Sequence, residues 1–245
     1  MWRALVSGLF VLCLVLGASS AAVADTNIAA SLIPFDAMTP SNRLLVCGVT
    51  AHYTLRREYP VQRFAARRQQ LEFLMDHLDA CSALAQSFAL ITYRATQDGQ
   101  GRVYADDHEG ATGYILQALR RGNRRVYYVE GSERGMFDVS GRGVAVVDFT
   151  EPEPGIIEYT GVMFVKVDNV VLAALTQLFS VFLRGTVDRH YKHVMEHPIV
   201  LSKLAFENPQ GMLAHIEAMP KEDRALLQPL AELLRPQLVA KPDRF

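Results

Sequence analysis

The sequence is poor in the residues from which a chemistry is usually read. It holds three cysteines and one tryptophan in 245 residues and no C-x-x-C pair, so a dithiol redox centre and a thiolate zinc site find no support. Charge of either sign is not in surplus, with 25 Lys and Arg against 26 Asp and Glu. That balance argues against a polyanion or an anionic membrane surface as partner, and no nucleic acid is expected. A P-loop, a dinucleotide fingerprint and a G-x-S-x-G elbow are all missing. So are internal repeats and low-complexity tracts. The most apolar run after the N-terminus, Val170 to Leu183, is about a dozen residues, where a membrane-crossing helix needs roughly 20.

The first residues have a different grammar. Arg3, the apolar run Ala4 to Gly17 and the small-x-small pattern Ala22-Val23-Ala24 read as a secretory leader over residues 1–24, with Asp25 as the new N-terminus. The expected location is therefore periplasmic or secreted. Cleavage removes Trp2, Arg3 and Cys13, leaving 24 basic residues (25 less Arg3) against 26 acidic ones and one cysteine pair, Cys47 and Cys81. In an oxidising compartment that pair predicts a disulfide worth roughly 4 kcal/mol. The alternative is two unpaired thiols acting as small hydrophobes.

Residues 25–48 are small, polar and proline-containing and read as an irregular arm. Val49, Ala51, Tyr53 and Leu55 alternate with polar residues, a strand that Pro60 closes. Leu71, Leu74, Met75, Leu78, Cys81, Leu84, Ala85 and Phe88 recur at helical spacing, predicting one helix over Ala65 to Phe88 or two with a break near Asp79; Cys81 would face the core. Strands follow at Ala89–Thr96, Arg102–Asp107, Gly113–Arg120, Arg124–Gly131, Gly143–Thr150 and from Ile156 to Val167. They are separated by the turns "DGQG" and "RRGN", a loop at 132–141, and "EPEPG". Asp168-Asn169 is a helix cap, after which Thr176, Ser180, Arg184, Asp188 and Lys192 form one polar stripe on a long, otherwise apolar helix from Val170 to about Met195. Residues 198–245 break into shorter helices, Ile199–Phe206, Gln210–Met219 and Lys221–Leu234, the last with a stripe of leucines.

This order, a strand, a helical segment, six strands, a long helix and a helical tail, resembles the helix-grip fold of the START-like, or SRPBCC, superfamily over residues 49–197. The fold class expected is α+β, with a curved, mostly antiparallel seven-stranded sheet packed on the long C-terminal helix. The resemblance rests on element order, not on a residue motif. It implies an apolar cavity between sheet and helix, and the residues whose parity turns them toward it are Tyr53, Tyr93, Phe149, Tyr159 and Met163, with Leu175, Phe179 and Phe182 from the helix. An apolar small molecule or lipid is the implied partner, with no cofactor; the same residues would otherwise fill the core. Two further readings stay open: an envelope interaction factor that uses its leucine-rich tail, and a cyclase- or hydrolase-like enzyme.

Other constellations are weaker. His190, His193 and His197 share a helix face, but Pro198 disfavours helix at the last of them, so no metal site is expected. "ADDHEG" at 105–110 reads as a solvated loop, and "GSERG" at 131–135 lacks a nucleophile setting. Gly141-Arg142-Gly143 is a turn or bulge signal. Arg57 and Arg125 share parity with core-facing neighbours, where each would meet a ligand carboxylate or phosphate, or else reach water at a strand end.

Overall fold

The computed structural model describes residues 29, 31–106, 108, 110–133, 139–168 and 195–239. The leader and the long helix expected between Val170 and Met195 fall outside those residues, apart from Met195 itself. Among the described residues the fold is α+β, an open antiparallel sheet of seven strands with helices on both faces. In chain order the strands are β1 (Leu55–Ala65), β2 (Ala95–Gln97), β3 (Arg102–Asp106), β4 (Ala111–Arg121), β5 (Arg124–Glu133), β6 (Val139–Glu153) and β7 (Ile156–Val167). They are arranged β1-β7-β6-β5-β4-β3-β2. Short turns dictate this order: Gly122 and Gly155 adopt φ of 55° and 80°, which lets consecutive strands fold back on each other at little steric cost. The closure that joins β1 to β7 spans the whole domain.

The N-terminal arm is more regular than its composition suggests. Helix α1 spans Pro40–Thr50, capped by Thr39, whose hydroxyl accepts from the Asn42 amide at 3.3 Å, with Pro40 in the first turn. Val46, Val49 and Thr50 are its buried side, so the expected strand at Val49 is instead the last turn of a helix. Strand β1 begins at Leu55 and runs past Pro60, which sits where the register with β7 slips between Tyr59 and Gln62. Such irregular edge positions tolerate a residue without an amide proton. The segment Ala89–Arg94 also departs from expectation. Ile91 and Tyr93 do alternate with exposed residues, but they belong to the helical core, and only Ala95–Gln97 joins the ladder.

The expected helix over Ala65–Phe88 is a pair, α2 (Arg68–Asp76) and α3 (Leu78–Ser87), broken at His77. The tail forms α4 (His197–Glu207), α5 (Pro209–Ala218) and α6 (Lys221–Val239). Strand periodicity sorts the sheet residues between two cores. Tyr127, Ala145, Val147, Phe149, Ile157 and Tyr159 pack beneath Leu71 and Met75 of α2, Met195 and Ile199. Val126, Tyr128, Val144, Val146 and Phe164 pack on Ile33, Met38 and the α1 valines. A third core lies within the helical layer, where Leu227, Leu230 and Leu234 of α6 are fully buried with Leu74, Leu84 and Leu201. The leucine stripe of the tail is thus largely spent on the domain itself. Among the described residues no helix is long and apolar enough to cross a membrane.

The cysteine pairing is corrected by this layering. Cys47 and Cys81 are free thiols. Cys47 lies in α1, whose neighbouring valines pack on one face of the sheet, and Cys81 lies in the helical core beyond the other face. With the sheet between them the α-carbons cannot approach to the roughly 4–7 Å that a disulfide requires. Burial, and secondarily the charge of Asp79, pushes the Cys81 thiol well above its ordinary range. At mildly alkaline pH the half-buried Cys47 is expected to be alkylated in the native protein and Cys81 only after unfolding. Peptide mass mapping of the two states reads this directly.

Candidate functional site

The sheet face that carries the expected site residues is best described row by row across the strands. One row is Gln62, Tyr159 and Phe149 on β1, β7 and β6. Tyr159 and Phe149 are each 1 % exposed, roofed by α2, Met195 and Ile199. Two rows further along, toward the other end of the strands, Arg57, Met163, Ala145 and Tyr127 stand side by side, followed by Leu55, Val165, Gly143, Val129 and Ile115. The next row is Val167, Gly141, Gly131, Gly113, Ala105 and Ala95, across six strands. Side-chain volume thus falls away along the face.

The glycine row is imposed by backbone approach. A methyl group on Gly113 would lie 2.6 Å from the Glu130 carbonyl oxygen, one on Gly131 2.6 Å from that of Thr112, and one on Gly141 2.9 Å from that of Lys166. Contacts this short are incompatible with any side chain, so the three glycines permit a crease in the sheet. At Gly143 the limit is softer: a methyl would meet the Met163 Cε at 3.3 Å, the end of a flexible chain. Gly131 is exposed, and Gly113, Gly141, Val129, Met163 and Val165 are half-buried. The face therefore has a filled, roofed half and a small-residue half that remains partly open.

Of the expected site residues, Phe149, Tyr159 and Met163 do share this face. Tyr53 packs on the opposite one, its ring edge-on to Phe164 with centroids 5.3 Å apart, because it precedes β1 rather than lying within it. Tyr93 is buried among the helices. Leu175, Phe179 and Phe182 lie outside the described residues. Gly141, expected at the end of a loop, lies inside β6 with Gly143, the expected first residue of that strand, because β6 begins earlier, at Val139.

Arg125 does not reach toward a ligand. It is fully buried and forms a two-pronged pair with Asp76, Nε to Oδ1 at 2.6 Å and Nη2 to Oδ2 at 3.0 Å, while its Nη1 donates to the Gly122 carbonyl at 2.7 Å. Asp76 also accepts from Gln117 Nε2 at 2.8 Å and forms an ion pair with Arg120 Nε at 3.1 Å. The Tyr127 hydroxyl donates to the Met75 carbonyl; burial, then the Asp76 charge, raises it far above the usual phenol range. This network bolts the end of α2 to β4 and β5. No sequence signal marks Asp76, Gln117 and Arg120, because their convergence depends on how α2 crosses the sheet.

Two groupings have catalytic residue types without catalytic wiring. Ser87 Oγ lies 2.9 Å from His215 Nε2 but 2.7 Å from the Leu84 carbonyl. A carbonyl only accepts, so the serine proton is committed to it and the imidazole donates to the serine rather than deprotonating it. In "ADDHEG", the exposed His108 takes φ of 57° and its amide donates to Asp106 Oδ1 at 2.8 Å, the geometry of a turn. Asp107 and Glu109 lie outside the described residues, as do His190 and His193. Among the described residues no group of His, Cys, Asp and Glu is placed to hold a metal.

No family profile and no curated protein matches the chain. Among solved structures it is similar to a conserved protein from Geobacillus kaustophilus at 13 % identity and a TM-score of 0.42, over 59 % of this chain and 95 % of that one. It is also similar to dicamba monooxygenase bound to dicamba at 14 % identity and 0.35, over 79 % of this chain and 62 % of that one. A protein from Rhizobium leguminosarum follows at 16 % and 0.27, over 63 % and 99 %. These scores are too low to carry an argument.

Proposed function

We propose that this chain is an exported, START-like module that binds a lipid or another apolar small molecule against one face of its sheet, in the periplasm or outside the cell. The observation that carries the reading is the asymmetry of that face. Rows of Phe149, Tyr159 and Val147 are roofed, whereas farther along the face Met163, Val129, Gly113 and Gly141 are half-buried and Gly131 is exposed, over a floor kept low by glycine. A face so built has room for a guest where side chains stop, and an aromatic wall where they resume. Apolar contact of about 300 Å² would supply roughly 7 kcal/mol before association costs. Aliphatic and glycine lining suits a hydrocarbon, and the wiring of Ser87 and His108 favours binding over chemistry.

The test is expression through the export route, followed by N-terminal sequencing, native mass spectrometry and lipid extraction. A mature chain starting at Asp25 with a co-purifying apolar molecule is expected. Gly143→Leu, whose side chain would displace Met163 and occupy the open half, is expected to lower uptake of an apolar fluorescent probe at least tenfold without lowering the melting temperature by more than a few degrees. Undiminished probe binding in a folded Gly143→Leu protein overturns the placement of the site.

A further inference from the structure

Charge is nearly balanced over the whole chain, yet at one end of the sheet it is not. Arg67 and Arg68 open α2, and Arg120, Arg121, Arg124 and Arg125 flank the turn between β4 and β5. The two groups converge. Arg68 Nη2 donates to Asn123 Oδ1 at 2.6 Å, and the Arg68 and Arg125 guanidinium carbons lie 5.8 and 5.3 Å from the centroid of the same Phe149 ring. Among the described residues three carboxylates answer these six cations, Glu72, Asp76 and Asp148. The acids of the neighbouring β6–β7 hairpin are engaged in their own turn, Glu153 and Glu158 with Arg63 and Glu151 with the Gly155 amide.

Register shows which cations are left for a partner. Arg120 stands opposite Arg125, and Arg121 opposite Arg124; like charges so paired repel on one face of a ladder. On the α2 face Asp76 relieves the repulsion by pairing with both Arg120 and Arg125. On the α1 face Asp148 receives Arg124 through both its oxygens, and the Leu32 carbonyl takes a third proton. Arg121 is exposed and, among the described residues, meets no carboxylate; the same holds for Arg67. The exposed large apolar side chains among the described residues, Leu44, Leu45, Val61, Leu90 and Leu226, belong neither to α2 nor to this hairpin. A protein partner is held through such anchors, whereas a charged bilayer needs only cations. We propose that this end of the sheet docks on an anionic membrane surface, with Arg67 and Arg121 meeting lipid headgroup phosphates, which a guanidinium receives through paired hydrogen bonds. The docking is a second property, separate from the apolar-binding reading above.

The test is cosedimentation of the protein with vesicles of phosphatidylcholine alone and of phosphatidylcholine mixed with phosphatidylglycerol in equal parts. Binding is expected only to the mixed vesicles and is expected to fall as salt is raised. A cation beside an anionic bilayer strengthens partition about fivefold, so Arg121→Gln and Arg67→Gln should each weaken it by about that factor and together by about 25-fold. Arg121→Lys should stay close to the parent, and Arg224→Gln, which removes an exposed cation of α6, should have no effect. Equal binding to both kinds of vesicle, no binding to either, or an undiminished double variant overturns the inference. So does duplex DNA that competes the protein off the mixed vesicles at equal phosphate concentration, a result that would make nucleic acid the partner. A protein that binds the mixed vesicles but no apolar probe leaves this docking standing and removes the apolar-binding reading alone.

Discussion

Replacing Asp76 by alanine is expected to cost about 3–5 kcal/mol of stability, the range for removing one partner from a buried ion pair. Asp76 is 5 % exposed and Arg125 0 % exposed. The mutation would leave a guanidinium enclosed between α2 and the sheet with only carbonyl groups to receive its protons, and would also strand the Gln117 amide. Since a domain is typically stable by only about 5–15 kcal/mol, urea denaturation of Asp76→Ala should show a midpoint lowered by a third or more. Arg120→Ala offers the contrast. Its side chain is 58 % exposed, so losing its contact to the same carboxylate should cost less than about 1 kcal/mol. The double replacement Asp76→Leu with Arg125→Met removes both charges together and is expected to be much milder than Asp76→Ala alone. Equal losses in Asp76→Ala and Arg120→Ala would refute the claim that burial sets the energy here.

Gly131→Ala is expected to be nearly as damaging, for the opposite reason. The added methyl would lie 2.6 Å from the Thr112 carbonyl oxygen and would crowd Gly113 across the ladder. Neither obstacle is a side chain that turns aside, so β4 and β5 must separate or the crease must flatten. Overpacking of this kind costs about 1–3 kcal/mol and sometimes more. A loss of about 3 kcal/mol, read from thermal or urea unfolding, is expected at Gly131 and likewise at Gly113, while Gly99, with open space around it, should accept alanine within about 0.5 kcal/mol. A stable Gly131→Ala protein would mean that the strands do not approach so closely.

The strands from β3 to β7 are legible from period-two alternation, sharpest where a tight turn ends them, as "RRGN" does between β4 and β5; the ends of β6 are not, since it begins at Val139 within the expected loop and runs to Glu153 in the expected turn. The α2–α3 pair and the tail were legible from helical spacing. Helix α1 is masked in the sequence, because Val49, Ala51, Tyr53 and Leu55 alternate by coincidence across a helix end, a connector and a strand start. The stronger signal was Thr39-Pro40, a capping hydroxyl followed by a proline suited to the first turn. Alternation at Ile91 and Tyr93 reported real burial, yet burial in a helical layer needs no partner strand. The candidate site was half legible. Parity correctly grouped Phe149, Tyr159 and Met163, but parity restarts with each strand, so it could not say that Tyr53 lies across the sheet. The glycine row needs the register of three strands at once, and no local pattern contains that.

The two outer margins of the sheet have a consequence for how the molecule behaves among its own copies. On one margin β1 presents Arg57, Glu58, Pro60 and Arg63 around a slipped register; on the other, β2 offers three residues. Neither supplies the long, flat run of free amides and carbonyls on which a second chain adds as a further strand. Growth into fibrils by edge pairing along these two margins is thereby discouraged.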